Sequence, residues 1–271
     1  KEIYGAGQVA PMDGDVNIIL ECMPDEFVEA VYGGAKNAEI NGNVSLTVTS
    51  GKYGRVFGGN NLGGSINGTI TVNVSENGCQ PLIIGELYGG GNQAPYSIWG
   101  CNYDDEDGKW KPNAHTNPEA KPYVKEDTIA VSVNVYSCTS IGKVFGGGYG
   151  ETAEVVGNTH VYINMMKGIV GTTTQTEIGK IGQVFGGGNA APVEGNTLLD
   201  IGTASASEDI GVNITRGTYT SETDGTYLSP TANKYIDIEE PGIYGGGNAA
   251  AVICSTTLNI GTENQKLDKD L

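Results

Sequence analysis

The sequence predicts an all-β fold: a single elongated, right-handed parallel β-helix (solenoid) of about seven irregular coils, with residues 1–271 forming one domain. A glycine-rich motif recurs seven times, and a turn and an alternating strand follow the copies. A unit of about 25 residues cannot bury an apolar face alone, but it can when it packs against a like unit. Parallel crossovers are overwhelmingly right-handed, which sets the expected hand.

The motif consists of an aliphatic residue, an aromatic residue and three small residues, as in Val184-Phe185-Gly186-Gly187-Gly188. The glycines predict a sharp bend that needs either φ > 0 or a close approach between coils. The asparagine that often follows predicts either a ladder of amides between coils or an αL turn residue. We expect the aromatic rings to fall in one column. The aromatic positions are Tyr4, Tyr32, Phe57, Tyr88, Phe145, Phe185 and Tyr244, and the asparagines are Asn92, Asn189 and Asn248.

The segments after the motifs alternate between Val, Ile or Leu and Ser, Thr or Asn, as in residues 44–48 and 70–74. This alternation predicts a strand with one buried face. A β-propeller is the alternative fold, because the Asn-Gly steps before these strands are also strong hairpin signals. A propeller blade needs about 40–45 residues, however, and the shorter units are too small for that. Residues 21–30, with Pro24 near the start, predict one or two helical turns.

Two insertions, at residues 96–127 and 202–242, interrupt the repeats. The first contains both tryptophans of the chain, and a loop longer than about 15 residues without its own structure is usually functional or disordered. The second is rich in Ser, Thr, Gly and Asp, and we expect a strand pair in it around residues 212–214 and 235–238.

The net charge of −17, with only 15 basic residues, argues against nucleic acid and anionic lipid as partners. It is compatible with cation binding, although a solvated acidic surface explains it as well. No apolar run approaches the roughly 18 residues of a membrane span, and no signal peptide is recognisable. Because neither end shows a cap of the kind that solenoids need, we expect a longer parent chain.

The five cysteines form no Cys-x-x-Cys pair, which argues against a zinc or redox motif. Cys79 and Cys101 flank the fourth motif and are a candidate disulfide pair. The alternative is that the cysteines act as small buried residues.

No catalytic residue is assigned from the sequence. There is no Gly-x-Ser-x-Gly element, and the glycine-rich bends lack the Gly-Lys-Ser/Thr pattern of phosphate loops. Of the two histidines, His115 lies in the first insertion, and His160 lies at a strand position opposite the apolar face.

A polysaccharide-active enzyme remains an alternative, because such enzymes often use β-helices. Glu39, Glu154 and Glu194 lie near equivalent corners and are candidates for an acidic column. A glycosidase needs two carboxyl groups about 5–10 Å apart. A lyase needs basic groups to neutralise a uronate, and the chain has only two arginines.

Aromatic and acidic side chains of the first insertion are the best ligand-binding candidates. Aromatic faces stack on sugar rings, and carboxylates accept hydrogen bonds from sugar hydroxyls; the alternative is that the tryptophans pin the loop to the scaffold. The set comprises Trp99, Tyr103, Trp110 and Tyr123 with Asp104, Asp105 and Asp107.

No cofactor is expected, and calcium is supported only weakly. Asp105, Asp107 and Gly108 match positions three, five and six of a calcium-binding loop, but Tyr103 and Ala114 occupy positions one and twelve, where such a loop needs ligands. An irregular calcium site and a solvated charge run both remain open.

The pattern Val-Phe-Gly-Gly-Gly-Asn-Ala-Ala (184–191), Gly-Asn-Thr (195–197) and an alternating strand resembles the glycine-rich repeats of large secreted or surface-displayed β-helix proteins of gut bacteria. The resemblance covers the chain outside the two insertions. It implies an adhesin-like or stalk-like protein at the bacterial surface or outside the cell, and it carries over no catalytic motif.

Three functional hypotheses follow. The first is a non-enzymatic extracellular or cell-surface module for adhesion that binds a glycan or a host or matrix protein through residues 96–127. The second is a polysaccharide lyase or glycoside hydrolase on a β-helix. The third is a purely structural stalk. The partners that the first hypothesis implies are a polysaccharide or a host glycoprotein.

Overall fold

The computed structural model describes residues 1–98, 101–104, 109–112, 128–176, 178–203, 228–229, 234–235 and 242–261. All regular secondary structure in these segments is β-strand, which confirms the all-β prediction. The helical turn predicted within residues 21–30 is wrong, because Phe27–Tyr32 is a strand. Its backbone pairs in parallel with Gly51–Phe57 of the following repeat, and this pairing outweighs the local signal of Pro24.

Two parallel sheets of seven strands form the body of the fold. We call them sheet 1 and sheet 2, and each repeat contributes one strand to each. The strands of sheet 1, which end in the aromatic residue of the motif, are Glu2–Tyr4, Phe27–Tyr32, Gly51–Phe57, Leu82–Tyr88, Ser140–Phe145, Lys180–Phe185 and Gly242–Tyr244. Those of sheet 2 are Val16–Leu20, Val44–Val48, Ile70–Ser75, Ile129–Ser137, Asn158–Ile163, Thr197–Ile201 and Thr256–Ile260.

The strand order in both sheets follows the order of the repeats along the chain. Each strand therefore pairs with the equivalent strands of the preceding and following repeats, in parallel and nearly in register. The hairpin interpretation of the Asn-Gly steps is wrong, since these steps lead into strands that pair in parallel with other repeats. This pairing argues against the propeller, whose blades are antiparallel.

Shorter strands complete the described structure. Between sheet 1 and sheet 2, Met12–Asp13 pairs in parallel with Ile40–Asn41. In the later repeats, Val155–Val156 pairs in parallel with Tyr96–Ser97 on one side and Val193–Glu194 on the other. On the return from sheet 2 to sheet 1, Asn77–Gly78, Ile169–Val170 and Thr173–Thr174 form a small sheet. The insertions contribute two antiparallel pairs, Cys101–Asp104 with Lys109–Pro112 and Leu228–Ser229 with Lys234–Tyr235.

The first insertion leaves the repeat after Ile98, later than the predicted boundary at residue 96. Tyr96 and Ile98 are both 2% exposed and belong to the core. In the second insertion the strand pair lies at Leu228–Ser229 and Lys234–Tyr235. Residues 212–214, predicted to form one member of that pair, lie outside the described residues.

The main core lies between sheets 1 and 2. Alternate residues of each strand point inward, and those of the central repeats are fully buried, as Val56 of sheet 1 and Val72 of sheet 2 show. Burial of one such side chain stabilises the fold by about 1.5–3 kcal/mol. Because the inward positions of neighbouring repeats lie next to each other, the apolar alternation in the sequence becomes one continuous core.

The seven aromatic residues of the motif form a single column on the other face of sheet 1. Neighbouring ring centroids lie 4.7 to 5.1 Å apart with interplanar angles of 5 to 13°. The strand spacing of about 4.8 Å places the rings at this distance without distortion. Phe57, Tyr88 and Phe145 are fully buried, and the short strand Leu228–Ser229 lies close to the strands that carry Phe57 and Tyr88.

The first glycine of every motif except the last is required by close approach between repeats. A Cβ atom on Gly186 would overlap the carbonyl oxygen of Gly245 and the side chain of Leu199. The equivalent glycines, Gly33, Gly58, Gly89 and Gly146, would meet the next repeat in the same way. None of these five has a positive φ. Of the two reasons predicted for glycine at this position, close approach is therefore the one that applies.

The asparagines after the motif form an interrupted ladder. Asn248 donates to Asn189 at 3.1 Å, and Asn92 donates to Asn61 at 2.9 Å. Tyr149 occupies the equivalent position between these pairs, and the side-chain oxygen of Asn92 has no partner. The αL conformation falls on the next residue in the last two repeats, Ala190 and Ala249, rather than on the asparagines.

A second set of polar side chains joins the repeats at the turn before sheet 2. Asp15 accepts from the backbone N–H of Asn43 at 2.7 Å, and the Asn43 side chain accepts from Thr69 N–H at 2.9 Å. Asn158 accepts in the same way from Asn196 N–H at 2.9 Å. The Asn and Asp residues of the turns therefore bond to the backbone of the next repeat.

A disulfide joins Cys22 to Cys79, so the predicted pairing of Cys79 with Cys101 is wrong. Cys22 and Cys79 both follow strands of sheet 2, in repeats one and three, and the succession of repeats brings these corners together. Cys138 is a buried free thiol, as expected of a small core residue, whereas Cys254 is an exposed free thiol.

Substitution of the first motif glycine is expected to destabilise an internal repeat and to be tolerated in the last one. Gly186→Ala should lower the free energy of unfolding by about 2 kcal/mol or more, because backbone atoms must move apart. Gly245→Ala is the matched control, since its nearest neighbours lie 3.3 Å from the added carbon. Chemical denaturation measures both. Equal losses for the two variants would contradict the close-approach explanation.

Loss of the disulfide is also expected to destabilise the fold. The bond closes a segment with a sequence separation of 57, for which chain entropy alone predicts about 4 kcal/mol. We expect Cys22→Ser/Cys79→Ser to lower the free energy of unfolding by about 2–4 kcal/mol in denaturant titrations. Cys254→Ser, an exposed unbonded position, is the control. A loss no larger than that of the control would count against a stabilising bond.

Candidate functional site

The predicted ligand-binding residues of the first insertion are only partly within the described structure. Tyr103 and Asp104 lie on one strand of a hairpin, and Trp110 lies on the other, with Tyr103 paired to Trp110 and Asp104 paired to Lys109. Trp99, Asp105, Asp107 and Tyr123 lie outside the described residues, as does His115. The hairpin shows that Tyr103 and Trp110 occupy adjacent backbone positions.

A second candidate is the outer face of sheet 2, opposite the core. Its side chains form two rows that cross all seven strands, because the strands are parallel and in register. The first row consists of Asn17, Ser45, Thr71, Ser132, His160, Leu198 and Thr257, and the second of Ile19, Thr47, Asn73, Asn134, Tyr162, Asp200 and Asn259. Most of these side chains are polar and partly exposed.

Hydrogen bonds between strands fix several side chains of the two rows. His160 Nε2 lies 2.9 Å from Asp200 Oδ2, and both side chains are about a fifth exposed, at 22% and 20%. Asn259 donates to the other oxygen of Asp200 at 2.8 Å. Asn134 donates to Asn73 at 3.0 Å. The polar groups are therefore held in place before any ligand binds.

Two tyrosine rings extend from the His160–Asp200 pair along the outer face of sheet 2. The His160 ring meets Tyr162 edge to face, with centroids 6.0 Å apart. Tyr136 lies on the neighbouring strand at 6.1 Å from Tyr162. The cluster combines flat rings with a carboxylate, the two kinds of group predicted for the first insertion, and also contains amides.

The first insertion returns to the repeats beside this cluster. Thr128, the first described residue after the insertion, accepts a hydrogen bond from the Asn158 side chain at 3.2 Å. Asn158 begins the strand of sheet 2 that carries His160 and Tyr162. Thr128, which follows the insertion, is therefore bonded to the start of the strand that carries His160.

Sequence reasoning placed His160 on the outward face, which the structure bears out, but it missed the partner. The sequence contains a signal for this pair, because the turns Gly157-Asn158-Thr159 and Gly195-Asn196-Thr197 mark equivalent positions in two repeats. That alignment pairs Tyr162 with Asp200 and places His160 one step diagonal to Asp200. The neighbours of an outward residue are therefore the equivalent residues of the adjacent repeats.

The outer face of sheet 1 carries a separate polar group next to the aromatic column. Arg55 Nε lies 3.1 Å from Glu86, and the guanidinium lies 4.5 Å from the centre of the Tyr149 ring. Tyr88 donates its hydroxyl proton to the same Glu86 oxygen at 3.1 Å. Arg55 is thus engaged in an internal network and is not placed to bind an acidic substrate.

The acidic column suggested by Glu39, Glu154 and Glu194 does not form. Glu194 pairs with Val156, so Glu154 and Glu194 lie two register positions apart. Within the described segments, no group of three His, Cys, Asp or Glu side chains is arranged to hold a metal ion. Two carboxylates of the weakly supported calcium site, Asp105 and Asp107, lie outside those segments.

Glu76 is the most deeply buried carboxyl group of the described structure, at 2% exposed. Burial raises its pKa, which is opposed by hydrogen bonds from Leu82 N–H at 2.7 Å and from the Thr139 hydroxyl. Gln175 also donates to it. These bonds join the corners of three repeats, so Glu76 acts as a structural link.

Comparison with protein-family models, with curated proteins and with solved structures finds no match to this chain. The resemblance drawn from the repeats therefore stays an expectation. In the segments that the structure describes, no helix is long and apolar enough to cross a membrane.

The raised pKa of Glu76 predicts a pH dependence of stability. The folded state holds this proton more tightly than the unfolded state, whose glutamate pKa is about 4.3. Stability from this group is therefore complete below that pH and is lost as pH rises through the folded-state pKa. Each tenfold difference in proton affinity is worth about 1.4 kcal/mol.

We expect Glu76→Gln to remove this loss, because the amide stays neutral and can still accept from Leu82. The variant should gain stability relative to the parent chain as pH rises from 4 to 8, measured by denaturant unfolding at each pH. Glu21→Gln, at an exposed position, controls for the removed charge. Parallel pH profiles for the parent chain and Glu76→Gln would contradict the prediction.

Proposed function

We propose that this chain is a non-enzymatic extracellular or cell-surface repeat module that binds a glycan or a host or matrix glycoprotein. We also propose that its seven repeats form a single right-handed parallel β-helix. The order of the strands in sheets 1 and 2 supports this winding, because each repeat contributes one strand to each sheet in turn.

The observation that carries the proposal is the cluster on the outer face of sheet 2. Tyr136, Tyr162 and His160 offer rings that can pack on the C–H faces of sugars, and Asp200 and Asn134 offer hydrogen-bonding groups. The cross-strand bonds hold these groups in place, which lowers the entropic cost of binding. The hairpin with Tyr103 and Trp110 belongs to the insertion that precedes Thr128, and we propose it as a second binding element.

The extracellular location is supported by the disulfide between Cys22 and Cys79. Disulfides persist in oxidising environments and are rare in reducing ones. The net charge of −17 bears on the partner instead, since it disfavours anionic partners such as nucleic acid.

The His160–Asp200 pair is the observation that favours a polysaccharide-active enzyme as the second candidate. An imidazole oriented by a carboxylate can act as a general base. A glycoside hydrolase of the common type needs two carboxyl groups, and Asp200 is the single carboxylate in the two outer rows of sheet 2. We therefore rank binding above catalysis.

A glycan-binding screen tests the proposal. We expect Tyr136→Ala/Tyr162→Ala to weaken binding to the best glycan of a panel of polysaccharides and host glycans by at least tenfold, or about 1.4 kcal/mol. The reason is the loss of both rings on the face. Isothermal titration measures affinity, and the same samples are assayed for reducing and unsaturated ends.

Thr47→Ala, on the second row in repeat two, is the control for the sheet 2 face, and Trp99→Ala/Trp110→Ala tests the insertion separately. All variants are compared by melting temperature. Release of reducing or unsaturated ends would overturn the non-enzymatic proposal. Binding that is lost only in the tryptophan variant would move the site from sheet 2 to the insertion.

A further inference from the structure

The two outer rows of sheet 2 form a narrow strip that runs across the strands. Neighbouring strands lie about 4.8 Å apart, and residues two apart on one strand lie about 7 Å apart. The strip is therefore two side chains wide and repeats its hydrogen-bonding groups at every strand. A surface of this shape matches an extended polymer with a regular monomer spacing that lies perpendicular to the strands of sheet 2.

Polar side chains bonded across the strands mark out one part of the strip. Asn73 and Asn134 bond to each other in repeats three and four, and Asp200 bonds to both His160 and Asn259 in repeats five to seven. The interval from Asn73 to Asn259 crosses four strand spacings, or about 19 Å. Tyr162 lies at its centre.

The strip carries little charge. Among the outward residues of sheet 2, Asp200 is the only carboxylate and His160 is the only basic group, and they bond to each other. The chain as a whole has a net charge of −17, which repels polyanions. An uncharged polymer therefore fits the strip better than a uronate, a sulfated glycan or a nucleic acid.

The chemistry of the strip also favours a hydroxyl-rich chain over a folded protein. The centre of a protein–protein interface is apolar, whereas Leu198 is the one aliphatic residue in the rows between repeats three and seven. Hydroxyl and amide side chains donate and accept hydrogen bonds at the same site, which matches the hydroxyl groups of sugars.

We propose that the outer face of sheet 2 binds a neutral linear glycan that lies across the strands from Asn73 to Asn259, with a sugar ring over Tyr162. This inference rests on the proposed glycan-binding function and adds the ligand class, its direction and the length of its footprint. Each strand contributes a polar group from one or both rows, so affinity grows with the length of the chain until the footprint is filled.

The test uses oligosaccharides of increasing length from cellulose, mannan, chitin and polygalacturonate, measured by isothermal titration against the whole chain. We expect a neutral series to bind with an affinity that rises at least tenfold from the shortest to the longest member and then stays constant. We expect the charged polygalacturonate series to bind more weakly at every length.

Asn73→Ala and Ile19→Ala form a matched pair in the second row. Asn73 lies at one end of the proposed footprint. Its replacement should reduce the affinity for long oligosaccharides and leave the affinity for short ones unchanged. Ile19 lies outside the footprint and is 60% exposed, so Ile19→Ala should change the affinity for neither long nor short oligosaccharides. Melting temperatures verify that both variants fold.

The outcomes separate this inference from the proposed function. Binding that is independent of length, or strongest for polygalacturonate, overturns the neutral linear ligand and leaves a glycan-binding module. An equal effect of Ile19→Ala and Asn73→Ala overturns the footprint in the same way. Absence of binding by any glycan overturns both the proposed function and the inference.

Discussion

The structure depends on the close parallel pairing of each repeat with the next. This pairing sets a spacing of about 4.8 Å between equivalent residues. It excludes a side chain at the first motif glycine, as the carbonyl of Gly245 over Gly186 shows. The same spacing suits stacked aromatic rings, and so the column from Tyr4 to Tyr244 follows from it. Glycine and aromatic residue recur together because a single geometric constraint selects both.

In-register pairing also converts a short sequence pattern into long rows of side chains. Inward rows merge into the core, and the turn residues bond to the backbone of the next repeat, as Asp15 does to Asn43. Outward rows are free of these packing demands. Residues far apart in the chain become neighbours there, so that His160 and Asp200, 40 residues apart, form one pair. Any binding surface of this protein inherits this geometry.

The all-β class and the positions of the strands could be predicted because period-two alternation reports burial directly. The strand at Phe27–Tyr32 was missed because Pro24 gave a helical signal that inter-repeat pairing overrides. The disulfide was mispredicted because Cys79 and Cys101 are close in sequence, whereas Cys22 and Cys79 occupy equivalent positions after strands of sheet 2. The outward cluster was missed for a related reason: its members are ordinary polar residues until register brings Tyr162 beside Asp200.

The two outer rows of sheet 2 consist of small polar residues in repeats two to four and change in the repeats that follow. Along the first outer row, repeats two to four have Ser45, Thr71 and Ser132, and the row then changes to His160. The packing of the core does not require this change, because outward residues are not part of the core. An imidazole bonded to a carboxylate and placed beside Tyr162 is costly to order, because each side chain loses rotamer freedom. Under the proposed glycan-binding function, recognition of a ligand accounts for this local change on an otherwise plain face.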